Sequence, residues 1–284
     1  MPVLVFGATS QIGHFLLPRI VAGGGRVIAC SRTPRVDADA DGVRWLQGSL
    51  PDAVPALPPL RAVVSFGPLD ALARWLSGFE RAPAPRLVAT SSMSVLSKRD
   101  SQVPAERELI GRLAAGEQAL ARECGRLGMA WTVLRPTLIY GAGLDHSLSP
   151  IARRAARWRV FPLPQGRGLR QPVHADDLAA AVLACLESDA VAGRILAFGG
   201  GERLPAAAMF ARVRDSLPLR TLALPVGRPL LALMAALLPG ARGPVSRLDM
   251  DLVADNTEAM QLLAVQPRAF APQAAMWRLP GQGG

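Results

Sequence analysis

The chain has 284 residues, of which 50% are hydrophobic and 19% are charged. This composition excludes an intrinsically disordered chain, and the length allows either one large α/β domain or a nucleotide-binding domain with a smaller appendage. The formal net charge of +10 comes almost wholly from arginine, since Lys98 is the sole lysine of the sequence. The arginines are scattered without a basic run, so solvated surface explains them better than a nucleic-acid interface.

Cysteine usage and apolar runs indicate the compartment. Cys30, Cys124 and Cys185 lie far apart without a CxxC pair, which predicts buried thiols, no metal site and a reducing, cytoplasmic environment. A strand that starts at residue 3 leaves no place for a signal peptide. The nearest candidate for a membrane span, residues 229–238, is too short to cross a bilayer. It predicts a core or interfacial helix, so peripheral membrane contact stays open as a weaker alternative.

The first thirteen residues predict the opening of a dinucleotide-binding unit. Residues 3–6 form a short apolar run typical of a buried strand, and residues 12–21 have the pattern of a helix. Gly7 and Gly13 supply the positions without a side chain that the turn and the close helix packing require, while Ser10 stands where many such loops have a middle glycine. A glycine pattern alone is weak evidence. Its place directly after a first strand favours a cofactor loop over an ordinary tight turn.

A second strand is predicted at 26–30 and is followed by Ser31 and Arg32. An NAD-selective site has an acidic residue near this point to bind the ribose hydroxyls, whereas an arginine suits a 2′-phosphate. Arg32 therefore predicts a preference for NADP(H) over NAD(H). The alternative is a surface arginine without a ligand.

The rest of the first 200 residues alternates between strands and helices, which predicts a parallel, doubly wound α/β sheet with ligands at the carboxyl ends of its strands. The predicted strands are 43–46, 61–66, 86–89, 131–134 and 194–198, and the predicted helices are 69–79, 104–126 and 148–158. Pro136 is expected to end the pairing of the strand before it. Residues 1–200 are predicted to form the nucleotide-binding domain, interwoven near 142–172 with a smaller, mostly helical substrate-side lobe at 201–284.

Four short motifs, GATSQIG at 7–13, TSSMS at 90–94, RPTLIYG at 135–141 and PVHADD at 172–177, follow one another along the chain. Together they resemble the extended and atypical short-chain dehydrogenase/reductase superfamily, which is NAD-dependent epimerase/dehydratase-like. The resemblance implies a Rossmann-type NAD(P)-binding fold. It also implies a carbonyl reductase or an epimerase-like oxidoreductase that acts on a small or lipid-like substrate.

The residue pair that performs the chemistry in that superfamily is missing here. In its Tyr-xxx-Lys motif the tyrosine transfers a proton at the substrate oxygen, and the lysine lowers the pKa of the tyrosine. Aligned on Glu117, these two positions are Leu109 and Leu113, and the sole tyrosine, Tyr140, and the sole lysine, Lys98, lie elsewhere. The alternative function is therefore a non-catalytic NADP(H)-binding regulator or assembly subunit.

An enzyme without this pair needs other groups. Ser92 is predicted to polarise a carbonyl, and Tyr140 or His174 to supply the proton. Each has an alternative: Ser92 as a turn residue, Tyr140 as a packing residue and His174 as a structural histidine.

The predicted cofactor site combines the glycine loop with the ends of neighbouring strands. Its residues are Gly7, Thr9, Ser10, Gln11, Ile12 and Gly13 around the pyrophosphate, Ser31 and Arg32 at the adenosine phosphate, Ser65, Phe66 and Gly67 along the adenine, and Thr90 and Pro136 at later strand ends. The sequence leaves the substrate open and is compatible with a monomer or a homodimer.

Overall fold

A computed structural model describes residues 1–33, 40, 42–99, 101, 103–237, 243 and 245–279. Its centre is a seven-stranded, all-parallel sheet in the order β11-β6-β5-β4-β1-β2-β3. The strands of this sheet are β1 Val3–Phe6, β2 Val27–Ser31, β3 Val43–Gln47, β4 Ala62–Ser65, β5 Arg86–Thr90, β6 Ala130–Pro136 and β11 Arg194–Phe198.

Helices cover both faces of the sheet, as a parallel sheet requires. The helices are α1 Gln11–Ala22, α2 Leu69–Ser77, α3 Ser94–Ser97, α4 Pro104–Leu127, α5 Leu148–Trp158, α6 Ala175–Glu187, α7 Ala206–Asp215, α8 Arg228–Leu237 and α9 Thr257–Leu263. Strand β1 shows how the layers form, because its four residues are all buried and alternate between two cores. Val3 and Val5 pack with α1 and α6, whereas Leu4 and Phe6 pack with α2 and α4. The predicted α/β class with a doubly wound Rossmann-type sheet is confirmed.

A second body of structure lies beside the carboxyl ends of the strands. Six short strands form three separate pairs there: β7 Ile139–Tyr140 with β10 Val173–His174, β8 Val160–Pro164 with β13 Leu222–Val226, and β9 Leu169–Arg170 with β12 Leu204–Pro205. A third core joins α5 and α7 to the tail of the chain, where Phe270 and Trp277 are almost fully buried. Because this core takes residues from both sides of position 200, the two parts of the chain are packed together; the boundary near 200 itself stays a prediction.

Strand β6 ends where the sequence predicts, because Pro136 is its last residue and lies opposite Phe198 of β11. The strand is longer than the predicted 131–134, since it begins at Ala130 and continues through Pro136. Beside this end the Met93 N–H donates to Pro136 O at 3.0 Å. The predicted strand at 194–198 and helix at 148–158 have the bounds that the structure gives them.

Two further expectations concern membranes and cysteines. None of the helices within the described residues combines the length and the apolarity that a bilayer span needs. The helix predicted at 229–238 is present as α8, and residue 238 lies outside the described part of the chain. All three cysteines are free and buried, and burial raises the pKa of Cys124 and that of Cys185 to about 12.

Candidate functional site

The GATSQIG loop connects β1 to α1 in the geometry that its glycines require. Gly7 has φ +71°, a left-handed conformation that glycine adopts without strain. A Cβ on Gly13 would lie 2.2 Å from Ala8 O, so any side chain there would push α1 off the loop. The two glycines therefore fix the approach of the helix to the strand.

Ser10 caps the helix that the loop enters. Its Oγ accepts from the Gly13 N–H at 3.2 Å, and its φ of −72° needs no glycine, which explains why a serine can replace the middle glycine of such loops. The N–H groups of Gln11 and Ile12 have no acceptor among the described residues, and the first turn of α1 carries no acidic side chain. This end of the helix has the donors and the positive dipole that a phosphate oxygen needs.

Side chains of the loop divide into exposed and buried ones. Thr9 is exposed, whereas Ile12 is buried in the core beneath α1. Gln11 is also buried, with Nε2 donating to Ile139 O and Oε1 accepting from the Ala142 N–H, each at 3.1 Å. The Gln11 side chain thus ties the loop to the strand β7 region, and only its backbone N–H is left for a phosphate.

The ends of β2 and β4 lie on either side of the loop. Phe6 is opposite Cys30 on one side and Ser65 on the other, which brings the segments after these residues to one edge of the sheet. Ser65 Oγ accepts from the Gly67 N–H at 3.3 Å, and Phe66 stands directly behind Gly7, with its Cβ 3.1 Å from a Cβ built on that glycine. The sheet therefore brings the predicted pyrophosphate and adenine segments together.

Arg32 follows β2 at the same edge. Its side chain is exposed and forms no ion pair with a described residue, while its carbonyl accepts from Gln47 Nε2 at 3.4 Å. Ser31 is half-buried, and its Oγ accepts from the Thr33 N–H at 3.3 Å. Arg32 therefore has a fixed backbone and a guanidinium group available to a ligand.

A cavity of about 640 Å³ lies at the carboxyl ends of β5 and β6. It contains Ser92 and Pro136 of the predicted set, together with residues of α3, α5, α7 and the chain near residue 248. Its lining includes Ser92, Ser94, Ser97, Lys98, Pro136, Thr137, His146, Ile151, Arg154, Arg170, Gln171, Phe210, Arg247 and Leu252. Four of these residues are lysine or arginine, and the described lining contains no carboxylate.

Ser92 is half-buried in this cavity and takes part in a short hydroxyl network. Its Oγ donates to Ser94 Oγ and accepts from the Ser94 N–H, both at 3.1 Å. Thr90 ends β5, and the Ser91 hydroxyl behind it is buried without a hydrogen-bond partner among the described residues. The arrangement agrees with a turn role for Ser92 and leaves its hydroxyl on the cavity surface.

The four cations of the cavity have different tasks. Arg170 is only 6% exposed, and its guanidinium donates to the carbonyls of Leu169, Met250 and Arg247, so it holds the wall together. Arg247 pairs with Glu106 at the start of α4. These two arginines are therefore largely engaged within the protein.

Lys98 and Arg154 are the freer cations. The closest carboxylate to Lys98 Nζ is Glu106 Oε1 at 4.0 Å, and that oxygen already accepts from Arg247. Burial, reinforced by the charge of Arg247, lowers the pKa of Lys98. Arg154 is exposed and forms no ion pair with a described residue. A negatively charged group in the cavity would thus find both side chains available.

Tyr140 lies away from the lining of this cavity. It is 0% exposed and packs edge-on against His174 and Phe270, with ring centroids 5.1 and 4.8 Å away. Its hydroxyl has no partner of hydrogen-bond geometry among the described residues, and burial, weakly opposed by the Ala271 backbone, raises the pKa of Tyr140 to about 12. These contacts favour the packing role over proton donation.

His174 caps α6 with its imidazole. Nδ1 accepts from the Asp176 N–H at 3.1 Å, and Nε2 lies 2.5 Å from where a Cβ on Gly141 would be. Burial, with a contribution from the charge of Arg268, lowers the pKa of His174, so the neutral ring is the stable form. The geometry favours the structural role for this histidine as well.

Helix α4 presents leucines at the two positions that would be tyrosine and lysine. Leu109 is 40% exposed and Leu113 is half-buried. One turn further on, Glu117 is 3% exposed and accepts two hydrogen bonds from Arg135 of β6, at 2.8 and 2.5 Å. The structure thus shows Glu117 anchoring α4 to β6, while leucines stand at the positions predicted for the Tyr-xxx-Lys pair.

Sequence reasoning did not identify Lys98, Arg154 or Arg170 as site residues. Lys98 lies six positions after Ser92 in the short helix α3 segment, so its proximity to Ser92 was a usable signal. Arg154 and Arg170 come from distant segments, and only the fold places them at the cavity.

Comparison with known proteins relates this geometry to a family. Residues 74–199 match the sequence profile of the NAD dependent epimerase/dehydratase family. A search of curated protein sequences finds no match.

Solved structures of similar fold cover nearly the whole chain. MoeE5, solved with UDP-glucuronic acid and NAD, has 19% identity and a TM-score of 0.70 over 95% of each chain. A UDP-glucuronic acid 4-epimerase from Bacillus cereus, solved with NAD, has 13% identity and a TM-score of 0.72 over 95% of this chain and 94% of its own. A UDP-galactose 4-epimerase has 18% identity and a TM-score of 0.71, with coverage of 98% and 97%.

The resemblance that the four motifs predict is confirmed. Residues 74–199 resemble the NAD dependent epimerase/dehydratase family, and the chain has the Rossmann-type fold of these solved structures.

Proposed function

We propose that this protein binds a nicotinamide dinucleotide at the GATSQIG loop and acts as an oxidoreductase or epimerase-like enzyme on a substrate that carries phosphate, such as a nucleotide-linked sugar. The observation that carries the proposal is the cavity beside Ser92, whose described lining contains four cationic side chains and no carboxylate, with Lys98 and Arg154 the least engaged of the four. Proteins of similar fold include MoeE5, solved with UDP-glucuronic acid, and a UDP-glucuronic acid 4-epimerase, which supports this substrate class.

The cofactor part of the proposal depends on the loop and on Arg32. The free N–H groups of Gln11 and Ile12 would bind the pyrophosphate, and the bound dinucleotide would supply hydride transfer to or from the substrate. An exposed arginine after β2 favours NADP(H), although the similar structures were solved with NAD.

The preference is tested by titrating the protein with NADPH and with NADH while following its tryptophan fluorescence. We expect tighter binding of NADPH, and Arg32→Asp should weaken NADPH by about tenfold or more while changing NADH little. Arg74→Asp, at an exposed arginine of α2, is the matched control for the change of charge. Equal losses for both nucleotides would show that Arg32 does not bind the phosphate.

The substrate part depends on Arg154. Arg154→Gln removes a cavity cation that forms no ion pair with a described residue, so the fold should be retained. We expect UDP-glucose and UDP-glucuronic acid to raise the unfolding temperature of the wild-type protein, and free glucose and glucuronic acid to leave it unchanged. Arg154→Gln should reduce the response to the nucleotide sugars. An unchanged response would remove Arg154 from the site.

For the chemical step, Ser92 would polarise a substrate carbonyl and Lys98 would hold the proton that moves at its oxygen. Both line the cavity, whereas Tyr140 and His174 are buried outside its lining. Burial lowers the pKa of Lys98, which makes its ammonium group a better proton donor than an exposed lysine. Lys98→Met should abolish nucleotide-dependent turnover, and Lys98→Arg should keep substrate binding but shift the pH profile upward.

The second candidate is a non-catalytic nucleotide-binding regulator, favoured by Leu109 and Leu113 in α4. NADPH consumption over a panel of carbonyl compounds and nucleotide sugars separates the two. Tight NADPH binding with no consumption above buffer, unchanged in Ser92→Ala, supports the regulator.

A further inference from the structure

Exposed apolar side chains are concentrated on one part of the molecule. Among the described residues ten large hydrophobic side chains are exposed, and six of them lie between positions 158 and 237. These six define what we name the leucine surface: Trp158, Leu222, Leu224, Leu230, Leu233 and Leu237. Isolated exposed leucines are ordinary, whereas a group of this kind marks an interaction surface.

Strand pairing and chain continuity bring the members of the surface together. The Leu222 N–H donates to Arg159 O at 2.8 Å, directly after Trp158 at the end of α5. Leu222 and Leu224 alternate onto one side of β13 and are 68% and 48% exposed. Strand β13 ends at Val226, and α8 begins at Arg228. The strand therefore leads straight into the helix that carries the remaining leucines.

The apolar stripe of helix α8 faces away from the rest of the protein. Leu230, Leu233 and Leu237 recur at helical spacing and are 47%, 53% and 70% exposed. Leu231, on another face, is buried with Val226 and holds the helix to the protein. The stripe is thus fixed in place and directed to the outside.

Exposed arginines lie close to this surface in the chain. Arg157 and Arg159 flank Trp158, Arg220 is two positions before Leu222, and none of the three forms an ion pair with a described residue. Arg228 pairs with Asp249 at 3.2 Å, and both side chains are more than half exposed. The leucine surface is therefore apolar, and the exposed residues beside it in the chain are cationic.

We propose that the leucine surface binds the face of an anionic lipid bilayer. Leucines and a tryptophan would enter the interface while the arginines contact lipid phosphates. With ten residues, α8 is about 15 Å long and would lie in the membrane plane. A two-fold dimer through this surface would face the unpaired arginines toward those of the second copy, which disfavours self-association.

Flotation with lipid vesicles tests the proposal. We expect the wild-type protein to bind vesicles of phosphatidylcholine with about 30% phosphatidylserine, to bind pure phosphatidylcholine vesicles at least about tenfold more weakly, and to dissociate at high salt. Leu233→Asp with Leu237→Asp should reduce binding by at least about tenfold, with an unchanged far-ultraviolet spectrum. Leu109→Asp, at an exposed leucine of α4, should not.

A second set of variants keeps the leucines intact. Arg157→Gln, Arg159→Gln and Arg220→Gln together should also weaken binding at least about tenfold. The matched control, Arg74→Gln, Arg81→Gln and Arg122→Gln, removes the same charge from exposed arginines elsewhere. Equal losses from both sets, or no binding to anionic vesicles, would overturn the proposal. So would a leucine variant that changes only the elution volume in size exclusion, since that outcome identifies a second copy as the partner.

Discussion

The glycine loop and helix α4 both pack against the central sheet, but they differ in whether the residues that pack are also the candidate site residues. In the loop, Gly13 has no room for a Cβ, and the residues that hold the helix also present the donors for a phosphate. In α4, Gly116 and Glu117 hold the helix against α2 and β6, while Leu109 and Leu113 occupy the positions at which the sequence analysis expects the Tyr-xxx-Lys pair. In the loop, the residues that pack the helix also carry the candidate phosphate donors. In α4, the residues that pack the helix differ from those at the two predicted proton-transfer positions.

This difference means that positions 109 and 113 can change without disturbing the packing of α4. The Cβ that Gly116 lacks would be 3.0 Å from Leu69 Cβ, and Arg135 needs Glu117 to balance a partly buried charge. Leu109 is exposed, so the side chain there is not selected by packing. A substitution in the loop should therefore cost stability, and one at 109 should not.

The largest effect is expected for Gly13→Ala. Its Cβ would meet Ala8 O at 2.2 Å, and backbone cannot give way as a side chain can. We expect a loss of about 3 kcal/mol or more in the free energy of unfolding, measured in urea. Gly111→Ala is the matched control in α4, because nothing lies within 4 Å of its Cβ. That change should stabilise the protein by about 0.5 to 1 kcal/mol. Similar results for both glycines would contradict the comparison.

The next effect is expected for Glu117→Gln. The change leaves Arg135, whose side chain is 17% exposed, without its countercharge and should cost about 3 kcal/mol in urea unfolding. Glu187→Gln breaks a pair with Arg61 in which the side chains are 49% and 64% exposed, and should cost less than about 1 kcal/mol. If Glu117→Gln costs no more than Glu187→Gln, Glu117 does not anchor the helix.

A smaller effect distinguishes a structural from a titrating role of His174. Its pKa lies below the ordinary value of 6.5 in the folded protein, so the unfolded chain takes up the proton first as the pH falls. Stability should therefore decrease as the pH declines below about 6.5. His174→Asn keeps an acceptor for the Asp176 N–H and removes the titration, so its stability should change less between about pH 7 and pH 5. An unchanged pH dependence in this variant would assign the effect to other groups.

The part of the site that could be predicted from sequence is the part made by neighbouring residues. Residues 7–13 form a local loop that requires glycine at its tight positions, so the sequence itself reveals it. The strand at 194–198 and the helix at 148–158 were likewise predictable from their local sequence.

The cavity could not be predicted in the same way. Its cations come from the residue directly after α3, from α5, from β9 and from the segment near 247, and no local pattern joins these positions. The burial of Tyr140 likewise depends on Phe270, which lies far along the chain.

The smallest effect on stability is expected when Leu109→Tyr and Leu113→Lys are combined, which places a Tyr-xxx-Lys pair at the predicted positions in α4. Because Leu109 is exposed and Leu113 half-buried, the free energy of unfolding should change by less than about 1 kcal/mol. If α4 lost only its chemistry, NADPH consumption with a carbonyl substrate should rise, with a pH dependence absent from the parent protein. Leu109→Phe with Leu113→Met keeps the bulk without the proton donor and should leave consumption unchanged. A loss of more than about 2 kcal/mol in the Tyr/Lys variant would instead show that these leucines pack, because only buried positions carry such costs.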